Sequence, residues 1–255
     1  MDKPEEAFQD KEFLQSPEGR SVRILAEYEK VKSIFEFHKI IDTITFFGSA
    51  RFKSKEDNYS SNEIDIENSE YYEQARSLAF KFTKWAEEFS KDHNRFVVAT
   101  GGGPGIMEGA NRGAMEAKGK SIGLGIRLPE EQKNNKYITP ELSFQFHYFF
   151  MRKFFLTQLA RATIMFPGGY GTLDELSEIL TLKQTGRIQQ PMPIVLFGKK
   201  FWDKAINFNY FVERKVIDKR DLNLFLVTDH IDQAFEFISC VLKEKCLDNP
   251  ASTTF

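Results

Sequence analysis

One grammar recurs along this chain: a short apolar run, a glycine-rich bend, then a stretch with helical apolar spacing. Phe96-Val97-Val98-Ala99 leads into Thr100-Gly101-Gly102-Gly103-Pro104-Gly105 and a helix predicted over Ile106–Ala117. Ala162-Thr163-Ile164-Met165-Phe166 leads into Pro167-Gly168-Gly169-Tyr170-Gly171-Thr172 and a helix from Leu173 to about Gln184, stopped by Gly186. Ile44–Phe47 (ending at Gly48-Ser49), Ser121–Ile126, Ile194–Phe197 and Leu222–Val227 read as further strands. Helices are predicted over Val22–Phe37, Tyr71–Phe89, Phe146–Leu159, Phe201–Lys215 and Ile231–Lys245. Apolar runs alternating with amphipathic stretches predict a parallel sheet covered by helices on both faces. The expected fold class is α/β, a single doubly wound Rossmann-like domain over residues 21–247. A polar, loosely held tail is expected at 1–20 and a C-terminal tail at 248–255. The stretch 53–68, rich in Lys, Glu, Asp, Asn and Ser and without period, reads as a polar surface insertion.

Composition removes several classes of function. The 35 Lys+Arg and 37 Asp+Glu leave a formal charge of −2, which does not suit a protein that coats a nucleic-acid polymer. That balance leaves room for a local pocket for one small anion. The most apolar stretch, Phe144–Phe166, contains Arg152, Lys153 and Arg161 and does not read as a membrane span. The acidic start Met1–Glu6 lacks the apolar core of a signal peptide, so a cytoplasmic protein without membrane association is expected. Cys240 and Cys246, six positions apart on a predicted helix, face different sides, and no Cys/His cluster has zinc spacing. His38, His93, His147 and His230 have no nucleophile or carboxylate at a telling spacing and read as structural.

Ligands of an open parallel sheet gather beyond the carboxyl ends of its strands. Three bends belong there: Gly48–Arg51, Thr100–Gly105 and Gly168–Thr172. Glycine lets backbone approach a ligand closely, and a helix start offers unpaired N–H groups and a positive dipole end. A strand–helix turn without a ligand would explain either of the last two bends alone. Together, each opening a helix, they point to one phosphorylated ligand held between them. The dinucleotide fingerprint fails, because Ile106 stands where a third glycine is needed and Gly169 and Gly171 are followed by Asp174. Gly119-Lys120-Ser121 looks like the end of a P-loop, yet Gly113 is one residue out of register and a strand follows. Asp174 and Glu175 fall in the first turn after the second bend, and Glu108 follows the first. Dipole complementation accounts for such carboxylates as readily as chemistry does. Arg152 and Lys153 interrupt an apolar helix, either as its solvated face or as charges aimed into a site.

At these residues a resemblance becomes specific. Thr100–Glu108 and Pro167–Glu175 resemble the paired motifs of the Lonely Guy (LOG) family, phosphoribohydrolases that release the base from cytokinin riboside 5′-monophosphates or from AMP. The family's P-G-G-x-G-T-x-x-E is matched at every fixed position, and Met151-Arg152-Lys153 matches its catalytic arginine segment. Phe47–Arg51 and Tyr137–Leu142 resemble the longer bacterial members. The similarity runs from about Ile44 to Lys245; the 53–68 insertion and the N-terminal segment depart from it.

The resemblance implies hydrolysis of the N-glycosidic bond of a purine nucleoside 5′-monophosphate, an AMP nucleosidase-like activity needing no cofactor and no metal. Arg152 and Glu175 would be catalytic, Glu175 stabilising an oxocarbenium-like ribose and Arg152 orienting the substrate or assisting departure of the base. Substrate contacts would come from Ser49, Arg51, Gly102, Gly103, Glu108, Lys153, Gly168, Gly169, Gly171 and Thr172. The resemblance also implies a homodimer or higher homo-oligomer. Phe144, Phe146, Tyr148, Phe149 and Phe150 are candidates for an apolar wall around the base, although core packing explains them equally well. The family has also carried the label lysine decarboxylase. No lysine here stands out as a pyridoxal anchor, Lys153 being the one near the motifs. A non-catalytic nucleotide-binding or sensing module is a different class of function for such a fold, and another small-phosphate transferase or hydrolase is a third. The presence of both Arg152 and Glu175 favours the enzyme, since phosphate binding needs only the bends.

Overall fold

The computed structural model describes residues 5–90, 93–128 and 133–246, apart from the Cys246 side chain. In chain order these form α1 (Lys11–Gln15), α2 (Arg20–Phe37), β1 (Thr43–Phe47), α3 (Glu63–Ala86), β2 (Val97–Thr100), α4 (Ile106–Glu116), β3 (Ser121–Ile126) and β4 (Ser143–Phe146). There follow α5 (Phe149–Gln158), β5 (Ala160–Met165), α6 (Tyr170–Gln184), β6 (Ile194–Phe197), α7 (Lys199–Ala205), α8 (Phe208–Glu213), β7 (Phe225–Thr228) and α9 (Ile231–Cys246). The seven strands make one parallel sheet in the order β4-β3-β2-β1-β5-β6-β7.

Burial along the strands follows from that order. Residues of β1, β2, β3, β5 and β6 are buried throughout, because helices cover both faces of a parallel sheet. At the edge, β4 alternates exposed and buried residues. On one face, Phe35 of α2, Phe155 and Leu156 of α5, Ile179 of α6 and Trp202 of α7 close the core. On the other, Leu78 and Phe82 of α3, Ala110 and Ala114 of α4 and Ile238 of α9 do so. The α/β doubly wound expectation is therefore met. Strand order reverses at β1, which lies between β2 and β5. That is the switch point where such sheets leave a crevice at their carboxyl ends. At the opposite end, Asp42 accepts from the Phe96 N–H at 2.6 Å and from Arg95 Nε at 2.7 Å, tying the starts of β1 and β2 together.

Several boundaries differ from the sequence reading. Helix α3 begins at Glu63, inside the stretch read as a loop, because Asn62 caps it by accepting from the Ile64 N–H and Glu63 and Asp65 suit its first turn. The helix predicted from Phe146 is a strand at its start, β4, followed by α5. The single helix expected over 201–215 is two, broken by extended backbone at Ile206. Within the polar N-terminal stretch, residues 11–15 are helical, and the Arg23 guanidinium donates to the carbonyls of Leu14 and Ser16. The expected tail at 248–255 lies outside the described residues. No helix among them is long and apolar enough to cross a membrane.

Candidate active site

A cleft of about 640 Å³ opens at the switch point, walled by the three bends, the end of β3 and the facing sides of α5 and α6. Backbone hydrogen bonds knit the bends into one rim. The Ser49 N–H donates to the Pro167 carbonyl at 2.9 Å, and the Ile106 N–H donates to the Ser49 carbonyl at 3.0 Å. Ser49 thus couples the bends after β1, β2 and β5. Its hydroxyl accepts from the Arg51 N–H at 3.1 Å, which shapes the turn that puts Arg51 on the cleft wall.

The second bend turns directly into α6, where the Thr172 and Leu173 N–H groups donate to the Gly169 carbonyl at 3.0 and 3.1 Å, while those of Tyr170 and Gly171 have no acceptor among the described residues. Gly169 and Gly171 line the cleft, and a Cβ on either would meet open space. Thr172, in the same turn, is buried on the cleft wall. This end of a 15-residue helix therefore offers amide donors, a hydroxyl and a positive dipole end to an anion.

One turn further along α6, Glu175 faces Arg152 of α5. Glu175 is only 2% exposed, and its Oε1 lies 3.8 Å from Arg152 Nη2. Neither Glu175 Oε2 nor Arg152 Nε, both buried, has a hydrogen-bond partner among the described residues. Burial pushes the Glu175 carboxyl up to about 7, against the opposing pull of Lys153 and Arg152. Burial likewise lowers the Arg152 guanidinium from its ordinary value, although a guanidinium keeps its charge at neutral pH. The Arg152 guanidinium also lies 5.6 Å from the centre of the Phe149 ring. A carboxylate poised near neutrality, beside a cation and with an unused oxygen, is the strongest chemical feature of the cleft.

Helix α5 is held from both sides. Its neighbour α2 supplies Glu27 Oε1, which accepts from the His147 N–H at 2.6 Å, and Arg23 Nε, which donates to the Tyr148 hydroxyl at 3.2 Å. On the other side Lys153 Nζ pairs with Asp174 at 2.8 Å and Glu178 at 2.7 Å, clamping α5 to α6. Burial lowers the Lys153 ammonium, but its hydrogen bonds to those two carboxylates outweigh this and raise it above the ordinary lysine value.

Of the residues singled out from sequence, Ser49, Arg51, Gly103, Arg152, Gly169, Gly171, Thr172 and Glu175 line the cleft together. Four others stand behind its walls. Gly102 has φ +75° and packs against the Asn134 side chain, and Gly168 packs the second bend onto Thr172 and Gly48. Glu108 accepts from the Tyr72 hydroxyl at 3.0 Å, and Lys153 occupies the clamp just described. Of the five aromatic candidates only Phe149 is on the wall; Phe144 and Phe146 are core residues of β4. Met107, Ile126, Leu128 and Asn134 complete the wall without having been singled out. Ile126 ends β3 and Leu128 lies two residues beyond it, so position at the carboxyl end of the sheet was the available signal. Among the described residues no group of three or more His, Cys, Asp or Glu side chains could hold a metal ion.

Comparison with known proteins gives a family and a fold. A family model described as "Possible lysine decarboxylase" matches residues 107–238. A stretch of 134 residues, 51% of the chain, is 29% identical to the probable cytokinin riboside 5′-monophosphate phosphoribohydrolase LOG4 of Oryza sativa subsp. japonica. The match spans 56% of that curated relative's length. Among solved structures, the structural-genomics target TM1055 is similar, with a TM-score of 0.53 and 21% identity over 78% of this chain and 99% of that one. The Moco carrier protein of Chlamydomonas reinhardtii is similar too, with a TM-score of 0.53 and 19% identity over 80% of this chain and 98% of that one. At those identities the two structural likenesses are of fold.

Proposed function

We propose, for a chain that belongs to the LOG family, that it hydrolyses the N-glycosidic bond of a purine nucleoside 5′-monophosphate to free base and ribose 5-phosphate. The observation that carries the reading is Glu175, a buried carboxylate 3.8 Å from Arg152, set between two glycine bends that each open a helix. The 5′-phosphate would rest on the amides of the bends and the Thr172 hydroxyl. That leaves the ribose beside Glu175 and the base toward the apolar wall of Met107, Ile126, Leu128 and Phe149.

The roles follow from charge. As the bond from the ribose anomeric carbon to the base nitrogen breaks, its electron pair leaves with the base and positive charge grows on the sugar. An ionised Glu175 stabilises that charge far better in a buried site than it would in water. The same carboxylate can orient the water whose oxygen completes the sugar, with the released proton ending on the departing base or in solvent. Arg152 keeps Glu175 from rising further in pKa and offers a cation to orient the substrate. Catalysis needs Glu175 ionised, so turnover is expected to fall as pH drops through about 7.

The activity in the family's description finds less support. A pyridoxal-dependent decarboxylase needs a lysine at the cofactor. No lysine lines the cleft among the described residues, and Lys153 is engaged with Asp174 and Glu178.

The test is to incubate the protein with AMP and, separately, with isopentenyladenosine monophosphate, and to quantify base and ribose 5-phosphate by chromatography. Equimolar release that vanishes in Glu175→Ala is the expected result, and the ratio of the two rates identifies the base. No release from either nucleotide, with both still bound, would replace this reading with a nucleotide sensor.

A further inference from the structure

Between β3 and β4, Leu128 belongs to the proposed base wall, and further along Asn135 fastens the chain to the first glycine bend. The Asn135 N–H donates to the Gly102 carbonyl at 2.8 Å. Its side-chain Nδ2 lies 3.2 Å from the same carbonyl, 3.0 Å from the Gly103 carbonyl and 3.0 Å from Asn111 Oδ1. Three acceptors therefore share two amide hydrogens. The anchor behind them is firm: Asn111 is fully buried, accepts from the Thr100 hydroxyl at 2.8 Å and donates to the Ile122 carbonyl at 3.3 Å.

Peptide geometry gives this arrangement a consequence. The Gly102 carbonyl and the Gly103 N–H belong to one planar trans peptide and point in opposite directions. With the carbonyl held by Asn135, the N–H points away from Asn135. Gly103 lies on the cleft wall and Asn135 does not. The Gly103 N–H has no acceptor among the described residues, whereas the Gly102 N–H is already spent on the Thr100 hydroxyl at 3.0 Å. An unrestrained bend could turn this peptide over and offer an anion a carbonyl oxygen instead.

We propose that Asn135 is a positioning residue for phosphate recognition. It holds the Gly102 and Gly103 carbonyls behind the cleft, which aims the Gly103 N–H at the ligand's phosphate and keeps two partial negative charges off it. The inference rests on the nucleotide reading of the cleft and adds the residue that makes the first bend selective for an anion.

Asn135→Asp tests it with almost no change of shape, since it removes both donors and sets a carboxylate against three oxygens. Asn135→Ala removes the donors without adding charge. Titration calorimetry of both variants with AMP, ribose 5-phosphate and adenosine is the measurement. Affinity for the two phosphorylated ligands is expected to fall about tenfold or more, with adenosine within about twofold of wild type. An equal loss for adenosine would make the residue merely structural, and no loss for AMP would overturn the proposal outright. Should both variants fail to fold, the wild-type protein still decides. On adding ribose 5-phosphate, the Gly103 amide resonance is expected to shift together with those of Tyr170 and Gly171; a silent Gly103 would overturn the assignment. Binding without turnover would remove the proposed hydrolysis and leave this inference standing, while a wild-type protein that binds neither phosphorylated ligand would remove both.

Discussion

In the bend after β2, the glycines at 102 and 105 have φ of +75° and +72°, and a Cβ on Gly105 would sit 2.2 Å from the Ser49 carbonyl oxygen. In the bend after β5, neither Gly169 nor Gly171 has positive φ, and added carbons there would touch nothing. The two stretches look alike as sequence and use glycine for opposite reasons. The first needs it so that backbone can fold tightly against backbone, with Asn135 fixing which way its peptides face. At 169 and 171 the second leaves open space beside the start of α6, as the proposed phosphate contact requires, while its Gly168 packs closely as the first bend does. Glycine content alone therefore says little; what surrounds the missing Cβ separates a scaffold from a binding surface.

The difference can be broken most forcefully at Gly105. Gly105→Ala combines a left-handed backbone with a clash against Ser49, and is expected to lower Tm by about 10 °C, a loss of roughly 3 kcal/mol or more. An unchanged melting curve would show that the first bend yields and is no scaffold. Gly171→Ala should do the reverse. Alanine is a better helix former, so Tm holds or rises by a degree or two, while KM for the nucleotide rises roughly tenfold as the methyl fills ligand space. Unaltered KM would mean that the ligand keeps away from the second bend.

The smallest expected effect sharpens the electrostatic side. Lys153→Met removes a positive charge that favours ionised Glu175, so the carboxyl moves above about 7. The acid limb of the activity profile should move up with it, costing a few-fold at neutral pH and little at high pH. An acid limb that stays in place would limit Lys153 to clamping α5 onto α6.

Much of this architecture was legible in the chain, and the exceptions have physical causes. Strand β6 falls on Ile194–Phe197 as expected, because a central strand buried on both faces is a continuous apolar run with no competing period. Edge strand β4 was missed because its four residues show only two apolar side chains before the aromatic run of α5 begins. The first turns of α3 were missed because their solvated residues carry no apolar stripe; the Asn62 cap was the readable signal. Within the site, Arg152 and Glu175 were singled out by motif and do meet across the cleft. Asn135 was invisible, since its hold on Gly102 joins residues 33 positions apart through a loop whose course only the folded sheet defines. Lys153 sits next to Arg152 in sequence, yet adjacent residues on a helix face different ways, and it serves the clamp.

The central claim is that an ionised, buried Glu175 carries the cleavage. Its most direct test is kcat/KM for base release from AMP between about pH 5 and about pH 9, in the wild type and in Glu175→Gln. The expected wild-type profile rises through a midpoint near 7 to a plateau, while Glu175→Gln loses about 100-fold or more at every pH. The variant should also melt no lower than wild type at pH 8. The folded state favours protonated Glu175, so wild-type stability declines as pH rises from the ordinary carboxylate range through about 7, and glutamine escapes that cost. A Glu175→Gln protein that keeps wild-type rates, or a wild-type rate indifferent to pH around 7, would contradict the account.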